Sequence, residues 1–486
     1  MPITNPIIYE INTQVWLADL GRCLGRPVNL ESLPDSCWDA IADLHVDVIW
    51  FMGLWERSPG GRKIASCHPD LQAEYRQALA DLSPGDVVGS PYAIHRYAVA
   101  DHLGGRTGLA TARRKLAERG LGLYVDFVPN HLAVDHRWVV TRPHLFIRAE
   151  EQDTVQEGFF RAANDVFAHG RDPYFPAWTD TVQVNAFAPE YRQLAITVLR
   201  DLADQSDGVR CDMAMLLVNG IFAGTWGKLA GPRPSAEFWP EVIGAVHETH
   251  PDFRFLAEVY WNMEVEMVKQ GFDYVYDKGL YDRLCAADIG MINEHLRHTC
   301  DSAVGWVRFI ENHDEPRANT VFEPSVHRAV AVVAATVPGA LLLHEGQLDG
   351  RRVKIPVQLG RRPFEESDRA LRSFYQELLL VASRPAFQTG SCVVCDCHGW
   401  PDNQTCQSLV AFTRETSGER YAVVANLATQ PSQGRILLPW TDLAGKSWRF
   451  KDLLTTEEFN RDGTELATEG LFVDLPPWGF HLLMVQ

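Results

Sequence analysis

The run Gly208-Val209-Arg210-Cys211-Asp212 ends in an aspartate two residues after an arginine. On an extended strand alternate side chains share a face, so Arg210 and Asp212 point the same way. A guanidinium beside a carboxylate keeps that carboxylate ionised and oriented. A nucleophile or an electrostatic stabiliser needs that state. Alone, the pair reads first as an ordinary ion pair at a strand end. Three further stretches tip the reading towards chemistry: Asp126-Phe127-Val128-Pro129-Asn130-His131, Leu256-Ala257-Glu258-Val259-Tyr260 and Glu311-Asn312-His313-Asp314. Each sets a carboxylate at or just after the end of an apolar, strand-like run, and two add a histidine.

The elements that must carry these residues follow from the apolar pattern. Residues 7–11, 46–52, 121–126 and 340–343 read as buried strands, and further strands end near Asp212, Glu258, Tyr276 and Glu311. Helical periodicity follows them, as at 37–44, 106–119, 189–203 and 235–250. Eight such strand-and-helix units predict an α/β fold, a (β/α)8 barrel with a parallel sheet inside its helices. In that architecture active sites lie at the C-terminal strand ends, where Asp126, Asp212, Glu258 and Asp314 all fall. Residues 56–91 read as a polar loop too long to be idle. Residues 132–184 read as a small inserted subdomain after the third strand. Its aromatic residues Trp138, Phe159, Phe160, Tyr174 and Trp178 are expected mostly in that subdomain's own core. Beyond residue 384, short strands separated by turns predict a C-terminal antiparallel β-sandwich, residues 385–486. The barrel then comprises 1–131 and 185–384.

Composition narrows the partners. A chain of 486 residues with 46% apolar and 22% charged residues is an ordinary globular protein. Its formal charge of −18 opposes a nucleic-acid partner, which wants a basic face. No run is apolar for long enough to cross a membrane. The first residues lack a basic start and apolar core, so a cytoplasmic location is expected. The ten cysteines are then expected as thiols. The cluster Cys392, Cys395, Cys397, His398 and Cys406 fits no standard zinc spacing.

Taken in order, these motifs resemble the α-amylase family of glycoside hydrolases, family 13, over nearly the whole chain. Asp126–His131, Gly208–Asp212, Ala257-Glu258 and Asn312–Asp314 resemble its four sequence regions. Gly89-Ser90-Pro91-Tyr92, and Val337-Pro338-Gly339 with Glu345-Gly346-Gln347, resemble two further motifs. The resemblance implies Asp212 as nucleophile, Glu258 as general acid and then base, and Asp314 as the residue holding substrate hydroxyls. It implies Arg210 as the orienter of Asp212, His131 and His313 on sugar hydroxyls, and Tyr92 stacked on the sugar ring. Asp126 and Asn130 would chiefly support the site, with Asp126 counted among the residues near substrate. Trp55 is a candidate sugar platform. No cofactor is implied. Asn130 matches a calcium ligand of some members, whose other ligands would come from 132–184; against this, Asn130 can simply hydrogen-bond locally. His344 departs from the family by standing where a tyrosine is common.

The residue types suit that chemistry independently. Cleaving a glycosidic bond with retention takes two carboxyls of unequal acidity, about 5–5.5 Å apart. Arg210 should favour the anion at Asp212, while apolar neighbours and nearby anions should favour the acid at Glu258. The expected substrate is an α-glucan or α-glucoside. The alternative is an α-glucosyl transferase or phosphorylase using a sugar or phosphate acceptor at the same site. A non-catalytic sugar-binding module is the third reading, and the complete Asp212, Glu258 and Asp314 set opposes it.

Overall fold

Eight short apolar runs make the strands of one closed sheet. The structure, a computed structural model, describes residues 5–149, 157–300, 302, 304–455 and 457–486. The barrel strands are Ile7–Asn12, Val48–Met52, Gly122–Phe127, Gly208–Cys211, Arg254–Ala257, Tyr274–Tyr276, Trp306–Arg308 and Ala340–His344. They are hydrogen-bonded in chain order all the way round, and the first closes on the eighth. Every pair is parallel. Strands such as Val48–Met52 are buried at every residue because helices cover the outer face.

The helices start where the sequence supplies caps. Asp277 caps Lys278–Ala286, Asp368 caps Arg369–Ala382, and a proline opens both Pro189–Gln205 and Pro324–Thr336. No helix among the described residues is long and apolar enough to cross a membrane.

Two expectations need correction. The stretch 56–91 is not a plain loop: it holds the helices Pro59–Cys67 and Pro69–Ala78. The first is capped by Ser58, whose Oγ accepts from Gly61 N–H, and each has proline in its first turn. Those cap signals outweigh the polar composition. The seventh strand ends at Arg308 rather than near Glu311. Glu311 is instead drawn into an ion pair with Arg317 (2.5 Å) and accepts from the Ala318 N–H (2.7 Å).

After the third strand, His131–Ala133 pairs antiparallel with Thr181–Gln183, and Phe159–Ala162 forms a hairpin with Asp165–Ala168. The C-terminal region has a six-stranded and a three-stranded sheet with antiparallel pairing. Alternation along its strands divides the apolar load. Leu409, Ala411, Ala422 and Val424 fill the space between the two sheets. Val410, Phe412, Val423 and Ala425 face the other way and join the barrel's core. Cys395 and Cys406 are buried in the sandwich. All ten cysteines are free of disulfides. Among the described residues, the single group able to converge on a metal is Asp452, Glu457 and His481, which includes none of the cysteines.

Candidate active site

The register of three barrel strands sets the site. Arg210 pairs with Asp126 on one side and with Leu256 on the other; Cys211 pairs with Ala257. Asp212 and Glu258 are therefore the next residues on neighbouring parallel strands, which run about 4.8 Å apart. The tight packing here explains the glycine that opens the motif. A Cβ on Gly208 would come 2.5 Å from the Tyr124 ring and 2.8 Å from the Arg254 carbonyl oxygen.

Arg210 is 1% exposed and spans the acids. Its Nη1 donates to Asp212 Oδ1 at 2.7 Å. Its Nη2 lies 2.8 Å from Glu258 Oε2, in ion-pair range though not aligned as a hydrogen bond. The same Nη2 is 4.0 Å from Asp314 Oδ2. The guanidinium also lies over the rings of Trp50 and Tyr92, at 5.3 and 5.4 Å. One buried cation thus touches three carboxyls and is itself held by aromatic faces.

Glu258 is tied at both oxygens. Oε2 accepts from the Met213 N–H at 2.6 Å, and Oε1 accepts from the Tyr260 hydroxyl at 2.9 Å. Met213 adopts a left-handed φ of 43° next to Asp212, which turns its N–H towards Glu258. Burial, joined by the charges of Asp212 and Asp314, pushes the Glu258 carboxyl up to about 7 against the pull of Arg210. A carboxyl balanced near neutrality can both give and take a proton.

Asp314 has a side chain 44% exposed, so a ligand can reach it. His313 Nε2 is 3.1 Å from its Oδ2, and Lys354 Nζ donates to its backbone carbonyl. Desolvation pushes the Asp314 carboxyl up, but His313, Arg210 and Lys354 outweigh it and hold the group below the usual range. Tyr92 lies nearly parallel to His313, 5.4 Å between centroids, with its hydroxyl 2.7 Å from Nε2. His131 is buried beside Trp178, 4.9 Å between rings, and burial lowers its pKa. Asp212, Glu258, Asp314, Arg210, His313 and Tyr92 therefore converge on one rim.

Two predicted residues stand elsewhere. Trp55 is 1% exposed, and its indole donates to the Asp126 carbonyl at 2.8 Å. It is a wedge under the rim, not a surface for a sugar. Asp126 is also buried, with one oxygen accepting from Gly53 N–H (2.9 Å) and the other from the Trp50 indole (3.2 Å). Burial raises it to about 6 despite Arg210. It braces the rim and does not face the open side. The Asn130 amide is engaged by Gln183, whose Nε2 donates to Asn130 Oδ1 at 3.0 Å. Asn130 Nδ2 returns a bond to Gln183 Oε1 at 3.3 Å. Asn130 is thus hydrogen-bonded locally, the reading set against calcium above.

Three contributors escaped the sequence reading: Glu10, Lys354 and Trp261. Glu10 had a signal, since a single acid in an apolar strand must find a partner when buried. It does, at His313 Nδ1. Lys354 and Trp261 carry no such mark. Trp261 and Asn262 take successive positive φ values, 64° and 58°, just after Glu258. That turn brings Trp261 against Tyr174, 5.0 Å between rings. Tyr174 is the exception among the aromatics expected in the core: it and its neighbour Phe175 are 70% and 68% exposed, while Trp138, Phe159, Phe160 and Trp178 pack partly buried against the core.

The chain is similar in sequence to Alpha-amylase MalA of Haloarcula japonica, 24% identical over 365 residues, covering 71% of this chain and 50% of that protein. It is 22% identical over 449 residues to a Cyclomaltodextrinase of Geobacillus thermopakistaniensis, covering 86% and 70%. Against MalA and Alpha-amylase 3 of Dictyoglomus thermophilum, the chain spans only 50% and 60% of the relative's length. No family model matches. The fold is shared with a maltogenic α-amylase, AmyB, from Thermotoga neapolitana, at a TM-score of 0.71 and 17% identity, covering 100% and 99% of the two chains. It is shared also with an acarbose-complexed α-amylase from Geobacillus thermoleovorans, at 0.70 and 15%, again over 100% and 99%. The closed barrel and the C-terminal sheets are thus the fold of these α-amylases, and over most of its length the chain is similar in sequence to α-amylases and a cyclomaltodextrinase.

Proposed function

We propose that the protein hydrolyses α-glucosidic bonds of oligo- or polysaccharides with retention, through a covalent glycosyl-enzyme. The observation that carries this is the single guanidinium of Arg210 lying 2.7 Å from Asp212 and 2.8 Å from Glu258. It holds two carboxyls of adjacent strands against one cation, which supports a nucleophile and an acid flanking the same bond. Asp212 attacks the anomeric carbon while protonated Glu258 gives its proton to the departing glycosidic oxygen. Glu258, now anionic, takes a proton from water, and that water displaces Asp212 from the same carbon. The sugar leaves with its original configuration, and both acids return to their starting states. Asp314 and His313 hold hydroxyls of the sugar, and Tyr92 covers its face.

The acarbose bound by the Geobacillus thermoleovorans relative is consistent with an α-glucan substrate. The test is sugar release from α-glucans, with Asp212→Asn and Glu258→Gln as controls. The wild type should release sugar, and each variant should lose at least about a hundredfold in kcat. Equal release by wild type and Asp212→Asn would remove the reading.

A second outcome, transfer to a sugar acceptor, draws on a different observation. The exposed ring of Tyr174 packs edge-on against Trp261, which follows the proton donor in the chain, and exposed Phe175 is the next residue after Tyr174. Aromatic faces there suit a second sugar in place of water. Added maltose should then divert glycosyl units into longer products.

A further inference from the structure

Glu10 is a buried charge with no part in bond cleavage as described. It sits on the first barrel strand, 0% exposed, with its carbonyl accepting from the Glu345 N–H at 2.9 Å. Its Oε1 is hydrogen-bonded to His313 Nδ1. Its Oε2 has no hydrogen-bond partner among the described residues. A buried carboxylate is costly unless a cation or donor faces it, and the imidazole is what the geometry offers.

The other ring nitrogen is equally constrained. His313 Nε2 lies 3.1 Å from Asp314 Oδ2 and 2.7 Å from the Tyr92 hydroxyl. A neutral imidazole carries one N–H, so one of the two carboxylates would then face a lone pair. The Tyr92 hydroxyl can donate to that lone pair, but the Asp314 oxygen at 3.1 Å meets a donor only when the ring carries both protons. Trp50 closes the ring edge-on at 5.7 Å.

We propose that Glu10 is a positioning residue that holds His313 doubly protonated and, through that ring, fixes Asp314 and Tyr92 for substrate. The purpose of the clamp rests on the function proposed above; the protonation of the ring does not. The groups facing His313 come from several elements: Glu10 from the first strand, Asp126 from the third, Arg210 from the fourth, Asp314 beside it, Lys354 after the eighth, and the Tyr92 phenol. Burial and the two cations oppose a charged ring, and the anions favour it. The anions prevail, led by Asp314 and then Glu10, and the His313 pKa stands well above its ordinary value. The arrangement parallels the carboxylates that orient histidines behind many catalytic centres.

The test is an NMR titration of histidine-labelled protein from pH 5 to 9, with the His313 signal assigned by its loss in His313→Asn. The wild-type ring should stay doubly protonated to pH 8 or beyond. Glu10→Gln keeps the shape but not the charge, and should lower the titration point by about 1–3 pH units. Its kcat/KM on an α-glucan should fall about tenfold further at pH 8 than at pH 5.5. A wild-type ring titrating near the ordinary value of about 6.5 would overturn the proposal. So would an unmoved titration in Glu10→Gln. If that variant does not fold, the wild-type titration alone decides, with Glu10→Asp expected between the two. If the wild type acts on no α-glucoside, the proposed function falls, while the ring titration still judges Glu10 separately.

Discussion

At the scale of single residues, acidity is set by position. Glu258 must carry a proton to act as the acid, and its carboxyl is raised to about 7. The sign follows: kcat/KM should be high below that value and fall about tenfold per pH unit above it. A profile flat to pH 9 would contradict the assignment. Asp212 and Glu258 were legible in the sequence because each directly follows an apolar strand, and Asp314 because it lies in the loop after one, where the barrel places its chemistry. Trp55 was misread because exposure is not a property of a loop residue's type. Its burial predicts a loss of about 3–5 kcal/mol for Trp55→Ala in denaturant unfolding. A sugar platform would instead show a raised KM with unchanged stability.

At the scale of elements, the fourth and fifth strands must lie close enough for one guanidinium to reach both acids. Gly208 permits this, since a Cβ would meet the Tyr124 ring at 2.5 Å. Gly208→Ala should therefore cost about 1–3 kcal/mol and depress activity along with stability. An alanine that leaves both unchanged would show the strand contact to be slack. The turn at 170–178 is a second element with its own consequence. Asp172 Oδ1 accepts from the N–H groups of Tyr174 and Phe175, at 2.6 and 2.9 Å, and so presents both rings. Replacing both with alanine should reduce maltose-dependent transfer about tenfold more than hydrolysis, measured by product chromatography. Composition could not announce this, because an aromatic residue in an insertion looks the same whether it is core or surface. The two helices at Pro59–Cys67 and Pro69–Ala78 were hidden by a polar composition, although Ser58 and the prolines marked their starts.

At the scale of the molecule, the eight-strand count and the change of pattern after residue 384 were readable from periodicity alone. What periodicity leaves out is how the sandwich meets the barrel. Val410, Phe412, Val423 and Ala425 enter the barrel's core. Barrel and sandwich should unfold in one calorimetric transition; two separated transitions would mean that the contact is weak. The account as a whole turns on Asp212 and Glu258 acting on opposite sides of one anomeric carbon, and the stereochemistry of the first product reports on it most directly. Proton NMR of a fresh maltooligosaccharide digest should show the α-anomer accumulating first, with the β-anomer growing only as mutarotation proceeds. The β-anomer appearing first would mean that water, not Asp212, attacks the sugar.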